Sequence, residues 1–263
     1  MSSVPLLNNR VAVVTGGASG IGRASAVLLA RQGAKVFIGD YRLLAENEPL
    51  FAELGIFESQ CDVRREAELQ QLIDGAALAG GRVDILVHSA GIGMVKQIGD
   101  VSESDWDACL DTNLKGAFFA AKHAIRHMRQ NGGGSIVNIS SNAGLLPRAH
   151  DPVYSISKSA LLALTKSLAL CHAKDRIRVN AVCPGPVCDT RMMNADLEQA
   201  TDAEAMKRQF IAASPLARAH QRMITPDEVA QSVLYLASDN SLMITGTSIA
   251  IDGGKSLGVP PHE

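Results

Sequence analysis

In the stretch "VYSISKSA", residues 153–160, Tyr154 and Lys158 stand four positions apart with only small or aliphatic residues between them. On a helix, positions i and i+4 share a face, so a phenol and an ammonium would project into the same space. A lone phenol titrates near pH 10 and is a poor base at neutral pH. A cation beside it favours the phenolate, and each tenfold change in proton affinity is worth about 1.4 kcal/mol. The pair therefore reads as a proton-transfer group with its tuning charge. A second stretch offers different chemistry. In "TGGASGIG", residues 15–22, Gly16, Gly20 and Gly22, with Ser19 and Ile21 between them, precede the helical run "RASAVLLARQG". Glycine lets a backbone turn tightly and approach a pyrophosphate, whose charge then rests against the free N–H groups and positive end of the helix. The apolar run "KVFIGD" ends in Asp40, 18 residues past Gly22. A carboxylate there accepts hydrogen bonds from both hydroxyls of an adenosine ribose and repels a 2′-phosphate, which predicts NAD in preference to NADP. Arg42 could oppose this preference, because a guanidinium pairs with phosphate.

These residues need elements to position them. Short Val- and Ile-rich runs alternate with stretches of helical periodicity: "RVAVVTGG", "KVFIGD", "FESQCDV", "DILVHSAG", "SIVNISS", "IRVNAVCPG" and "SIAIDGG". Most are apolar at consecutive positions, as strands covered on both faces by helices must be. The pattern predicts an α/β fold: a single Rossmann-like, doubly wound domain spanning 1–263, with a parallel seven-stranded sheet and helices on both faces. Helices are expected over about 103–130 and 152–172, and from "TPDEVAQSVLYLAS" near 225, where a Thr cap, a Pro and early acids mark a start. "CDV" brings Asp62 and Val63 to the end of the third strand, where they could meet an adenine ring. "HSAG" brings Ser89, Ala90 and Gly91 to the end of the fourth, where small residues let a cofactor approach. All four turns fall on the sheet edge where such folds bind ligands. The connection at about 186–224, which holds Met192, Met193, Met206 and Met223, is long enough to be a substrate lid, and its methionines suggest an adaptable apolar pocket.

Composition narrows the function classes. A chain of 263 residues with 46% hydrophobic content can bury one sizeable core. Lys and Arg total 25 against 27 acids, which gives no basic surface for nucleic acid or an anionic membrane. The expected partners are a small-molecule substrate and copies of the same chain. Five cysteines lie far apart without metal-ligand spacing, so no metal site is expected and a reduced, cytoplasmic setting fits. No run suggests an export signal or a membrane span.

Taken together, "TGGASGIG", the Asn of "DTNLKG", the serines of "NISSNAG", "YSISK" and "NAVCPGPV", in this order, resemble the short-chain dehydrogenase/reductase family over nearly the whole chain. The resemblance implies a catalytic set of Asn113, Ser141, Tyr154 and Lys158. Ser140 is the rival for the serine role, but Ser141 stands thirteen residues before Tyr154, as the family's serine does. Lys158 would also hold the nicotinamide ribose, and Asn113 would hold a water linking the lysine to solvent. Pro184, Gly185, Val187 and Thr190 would line the nicotinamide side, although Cys188 and Asp189 displace Thr190 from its usual place. His88 and Ser89 stand where the family usually has two asparagines. His150, just before Tyr154, is a candidate substrate contact. The implied activity is NAD-dependent oxidation of a secondary alcohol or the reverse reduction, the alcohol being cyclic or a diol, by an enzyme whose subunits form tetramers. A 3-oxoacyl thioester reductase is the alternative enzyme, and a non-catalytic nucleotide-binding sensor the alternative of another class.

Overall fold

The computed structural model describes residues 5–43, 48–146 and 148–258. Seven strands, all parallel, form one sheet in the order β3-β2-β1-β4-β5-β6-β7: β1 Val11–Thr15, β2 Lys35–Asp40, β3 Phe57–Gln60, β4 Ile85–His88, β5 Gly134–Ile139, β6 Ile177–Pro184 and β7 Ser248–Ile251. The chain winds outward from β1 to β3, then returns past β1 to lay down β4. The order reverses between β1 and β4, and that reversal opens a crevice at their C-terminal ends.

Residues alternate between two cores. Ala12, Val14, Ile85, Val87, Val137 and Val182 face α1 (Gly20–Arg31) and α11 (Pro226–Ala237), while Val13, Leu86, Ile136 and Val179 face α3 (Glu66–Gly80) and α5 (Gly116–Gln130). Every residue of β1, β4 and β6 is buried, which accounts for their apolar runs. β3 departs from that pattern. Its residues, FESQ, are mostly exposed because it is an edge strand, and Cys61, Asp62 and Val63 lie beyond its end rather than within it.

The helical stretch expected over 103–130 is interrupted. α4 (Glu103–Leu110) starts in a capping box of Ser102 and Asp105, and a five-residue π-helical turn, Asp111–Lys115, then joins it to α5. Such turns widen the helix by one residue and re-aim side chains. α7, Pro152–His172, has the expected bounds, and α11 begins in a capping box between Thr225 and Glu228 with Pro226 first in the helix. α2 (Pro49–Leu54) and α6 (Asn142–Leu145) are short. The connection at 186–224 is folded, carrying α8 (Arg191–Gln199), α9 (Ala203–Ala212) and α10 (Pro215–His220). Among the described residues no helix is long and apolar enough to cross a membrane, and no cluster of His, Cys, Asp and Glu could hold a metal ion.

Candidate active site

The crevice floor is the glycine turn. Gly16 and Gly20 have left-handed φ values of 68° and 51°, a conformation that costs glycine little. A Cβ on Gly16 would stand 2.7 Å from the backbone of Ala90, and one on Gly22 would overlap the Gly16 carbonyl oxygen. The turn, α1 and the end of β4 therefore pack backbone against backbone. α1 starts at Gly20 with Ser19 as its N-cap, yet no side chain caps its first N–H groups and no acid lies in its first turn. An uncapped, acid-free helix start behind an open glycine turn fits a pyrophosphate. Asp40 ends β2 almost wholly buried, with Oδ2 accepting from Ala18 N at 3.1 Å and Oδ1 from Arg42 N at 3.0 Å. Arg42 thus contributes its backbone here. The guanidinium that reaches Asp40 belongs to Arg191, at 3.6 Å.

Asp62 and Val63 lie next to this groove, but the Asp62 carboxylate is held by the Arg64 side chain at 2.7–3.1 Å, and that hydrogen bond pulls its pKa below the usual range. Val63 is buried against Gly116. Ser89 donates its N–H to Thr15 O, and a Cβ on Gly91 would come 3.1 Å from Asn113 Oδ1 and 3.3 Å from Lys158 Nζ. His88 stands where the family usually has an asparagine. Its Nδ1 lies 2.9 Å from Thr15 Oγ1, tying β4 to β1, while Nε2 is buried without a partner among the described residues. Burial pushes this imidazole down to about 3, so it is neutral at physiological pH.

Lys158 is buried, 4% exposed, and its Nζ donates to Ile139 O at 3.0 Å and lies 5.7 Å from the Tyr154 ring centre. Burial pushes the ammonium down to about 8. Tyr154 does not show the depression expected from its lysine. Burial raises the phenol, and the opposing influences are a hydrogen bond with Ser141 and the charge of Arg148. Desolvation here outweighs both.

The two serines separate cleanly. Ser140 Oγ donates to Lys158 O at 2.9 Å, tying β5 to α7. Ser141 caps α6 by accepting from Ala143 N at 3.1 Å, and it is the serine that meets Tyr154. Asn113, fully buried in the π turn, clamps the chain after β4. Its Oδ1 accepts from Ile92 N at 2.8 Å, and its Nδ2 donates to Ile92 O and Ser157 Oγ, both at 3.0 Å.

On the far side, Pro184 ends β6, Gly185 N donates to Ile251 O at 2.9 Å, and Val187 is buried and bridged to Ile224. Asp189 takes a left-handed φ of 53°, a turn that carries Thr190 back over the groove. Thr190 caps α8 by accepting from Met193 N, and its methyl lies 3.1 Å from where a Gly20 Cβ would be. Thr190, not Asp189, therefore faces the glycine turn.

The segment before Tyr154, where the sequence offered His150 as a candidate substrate contact, is lined by polar side chains from several elements. Arg148 lies 5.2 Å from the Tyr154 ring centre and pairs with buried Asp151 at 2.5 Å, Ser155 Oγ donates to Asp151 at 3.1 Å, and Gln97 Nε2 lies 2.8 Å from His150 Nδ1. Met94, Met192 and Val153 pack with Tyr154 beneath. Apolar side chains therefore surround the Tyr154 ring, with the polar groups of Arg148, Asp151, His150 and Gln97 beside them.

A nucleotide cradle at the strand ends beside a buried Ser–Tyr–Lys cluster defines an oxidoreductase built on a doubly wound sheet. A family model described as enoyl-(acyl carrier protein) reductase matches residues 16–256. The chain is 39% identical to a cis-4-hydroxycyclohexanecarboxylate dehydrogenase of Sinomonas cyclohexanicum, over 93% of this chain and 96% of that one. It is 37% identical to a probable galactose dehydrogenase of Rhizobium meliloti, over 96% and 97%. The ligand-free aldohexose dehydrogenase of Thermoplasma acidophilum superposes with a TM-score of 0.88 at 32% identity, covering 99% of both chains. The protein belongs to the short-chain dehydrogenase/reductase family, whose members use nicotinamide cofactors.

Proposed function

We propose that this protein is an NAD-dependent dehydrogenase of secondary alcohols, running in reverse as a ketone reductase, and that its substrate is a cyclic alcohol bearing further polar groups. The carrying observation is the meeting of Ser141, Tyr154 and Lys158 beside the uncapped start of α1. In this reading the glycine turn of Gly16, Gly20 and Gly22, with the N–H groups of Ser19 and Ile21, holds the pyrophosphate, and Asp40 accepts from the adenosine ribose. Asp62 and Val63 flank the adenine, and Ser89, Ala90 and Gly91 leave room for the second ribose. Pro184, Gly185, Val187 and Thr190 enclose the nicotinamide.

The nicotinamide supplies the two-electron acceptor when it is bound. Ser141 orients the substrate oxygen by a hydrogen bond, and Tyr154 Oη takes the hydroxyl proton in oxidation and returns it in reduction. Lys158 binds the ribose hydroxyls from beside the Tyr154 ring, while Asn113 holds the segment after β4 against the lysine. Because burial raises Tyr154, the proton-donating form dominates at neutral pH. Reduction should therefore run there, and oxidation should gain rate as pH rises.

Arg148, Asp151, His150 and Gln97 favour a substrate with additional hydroxyl or acidic groups, as do relatives named for a hydroxycyclohexanecarboxylate, galactose and an aldohexose. The family model's description points to acyl thioesters, but the polar wall mixes Arg148 with Asp151 and does not form the basic mouth that an acidic carrier needs. We further propose a tetramer, joined through the helices where Leu110, Leu114, Phe118 and Leu164 line an open hollow of about 430 Å³. The segment 186–224 would act as the lid of a single-domain enzyme.

The test is a panel of cyclic alcohols, sugars, hydroxysteroids and acyl thioesters assayed with NAD and NADP. Turnover of a polar cyclic alcohol with at least about 100-fold preference for NAD supports the reading. That ratio corresponds to about 2.7 kcal/mol, the cost of a lost carboxylate–hydroxyl bond plus phosphate repulsion. Turnover of thioesters alone, or of nothing while NADH binds, points to one of the two alternatives.

A further inference from the structure

We propose that Arg191 is a determinant of cofactor choice, standing as the counter-charge to Asp40 across the mouth of the dinucleotide groove and softening the discrimination against NADP that Asp40 alone would impose. The inference rests on the reading of Asp40 as the ribose acceptor. Arg191 is the first residue of α8, directly after Thr190, whose methyl lies against Gly20. From there its Nη1 reaches Asp40 Oδ1 at 3.6 Å. Thr190 and Arg191 thus span the groove from the glycine turn to the end of β2. The Arg191 side chain is about half exposed, that of Asp40 almost buried, and among the described residues Asp40 is the only acid within ion-pair distance of Arg191.

The chemistry at this mouth is therefore that of a charge pair, not of an isolated carboxylate. A ribose bearing two hydroxyls donates to Asp40 and needs no cation. A ribose bearing a 2′-phosphate brings roughly two negative charges against Asp40, and Arg191 is the cation already within reach of the same spot. A guanidinium can pair with phosphate in a bidentate manner, and its half-exposed position leaves it free to turn by rotamer change alone. Arg42, the other arginine at this place in the chain, commits its backbone N–H to Asp40 Oδ1. The two arginines therefore act differently, Arg42 holding the carboxylate and Arg191 offsetting it.

The experiment is direct binding of NADH and NADPH, followed by nicotinamide fluorescence and calorimetry, to wild type, Arg191→Ala, Arg191→Lys and Asp40→Asn. Arg191→Ala should weaken NADPH about tenfold and change NADH less than about threefold, widening the preference for NADH. Arg191→Lys should restore part of the NADPH affinity, and raising salt should weaken NADPH more in wild type than in Arg191→Ala. Equal weakening of both nucleotides by Arg191→Ala, or no change in either, would overturn the inference. If Asp40→Asn leaves the NADH-to-NADPH ratio unchanged, the reading of Asp40 fails. If that ratio falls while Arg191→Ala leaves it untouched, Asp40 reads the ribose and only the role of Arg191 is lost.

Discussion

At the N-terminal ends of the strands, buried Asp84 accepts from Arg82 Nε at 2.8–2.9 Å, from Arg10 at 3.4 Å and from Val11 N at 2.9 Å. Nearby, Arg178 donates to Leu236 O, Ser238 O and Ser241 Oγ. At the C-terminal ends, the Lys158 ammonium is buried with one carbonyl within hydrogen-bond reach, the Tyr154 phenol is raised by burial, and His88 Nε2 has no partner among the described residues. The charges named at the first end are paired, whereas at the second Asp40 and Asp62 are paired and the lysine, phenol and imidazole are left in want. Buried polar groups left half-paired cost stability, and that cost is accepted only where a ligand is to complete the pairing. The contrast sets Tyr154, Lys158 and His88 apart from the paired charges on either end of the sheet.

Substitutions at the two ends should therefore separate activity from stability. The largest effect expected is that of Tyr154→Phe, which should lower kcat by about a thousandfold or more while leaving NADH affinity and melting temperature close to wild type. A variant that kept most of its turnover would remove Tyr154 from the proton-transfer role. Lys158→Met should abolish activity yet raise stability at neutral pH. The ammonium's pKa falls from 10.5 to about 8 on folding, so the folded state binds fewer protons between those values and stability climbs as pH rises through that window. Below about pH 8 the cost is full, at most about 3 kcal/mol. The variant's advantage in thermal melts should accordingly shrink above pH 8 and vanish near pH 10.5, and a destabilised Lys158→Met at pH 7 would contradict the buried-charge account.

The opposite end supplies the mirror image. Asp84→Asn should cost about 2 kcal/mol, below the 3–5 typical of buried pairs because Arg10 and Arg82 are partly exposed, and kcat/KM should stay within twofold. A denaturation midpoint that does not move would show those ion pairs to be idle. Smallest of all, Ser140→Ala should lose about 1 kcal/mol through its bond to Lys158 O with a modest fall in rate, whereas Ser141→Ala should lose rate with little change in stability. An exchange of those two phenotypes would reverse the roles of the serines.

Much of this was legible before any coordinates. The runs of β1, β4 and β6 announced buried strands because a strand covered on both faces must be apolar at every position. The glycine turn announced the cradle because no other residue fits backbone packed on backbone. β3 escaped that logic, since an edge strand is held by ladder hydrogen bonds to β2 and by contacts such as the stacking of Phe57 on Phe37 at 4.8 Å, not by an apolar run.

What the sequence determined by itself is local or periodic: strand and helix order, the position of the turn, the four-residue spacing of Tyr154 and Lys158, and an acid at the end of β2. What only the tertiary structure decided depends on partners remote in the chain. Two adjacent serines of identical type divide into a strut and a site residue because the carbonyl of Lys158 lies above one of them. His88 ties β4 to β1 because Thr15, 73 residues earlier, faces it. The guanidinium at Asp40 comes from Arg191 rather than from its neighbour Arg42 because α8 folds back over the glycine turn. Spacing along a chain fixes which side chains share a face, but the charge or carbonyl across from that face is contributed by another element, and only packing brings the two within the 3–4 Å over which hydrogen bonds and ion pairs act.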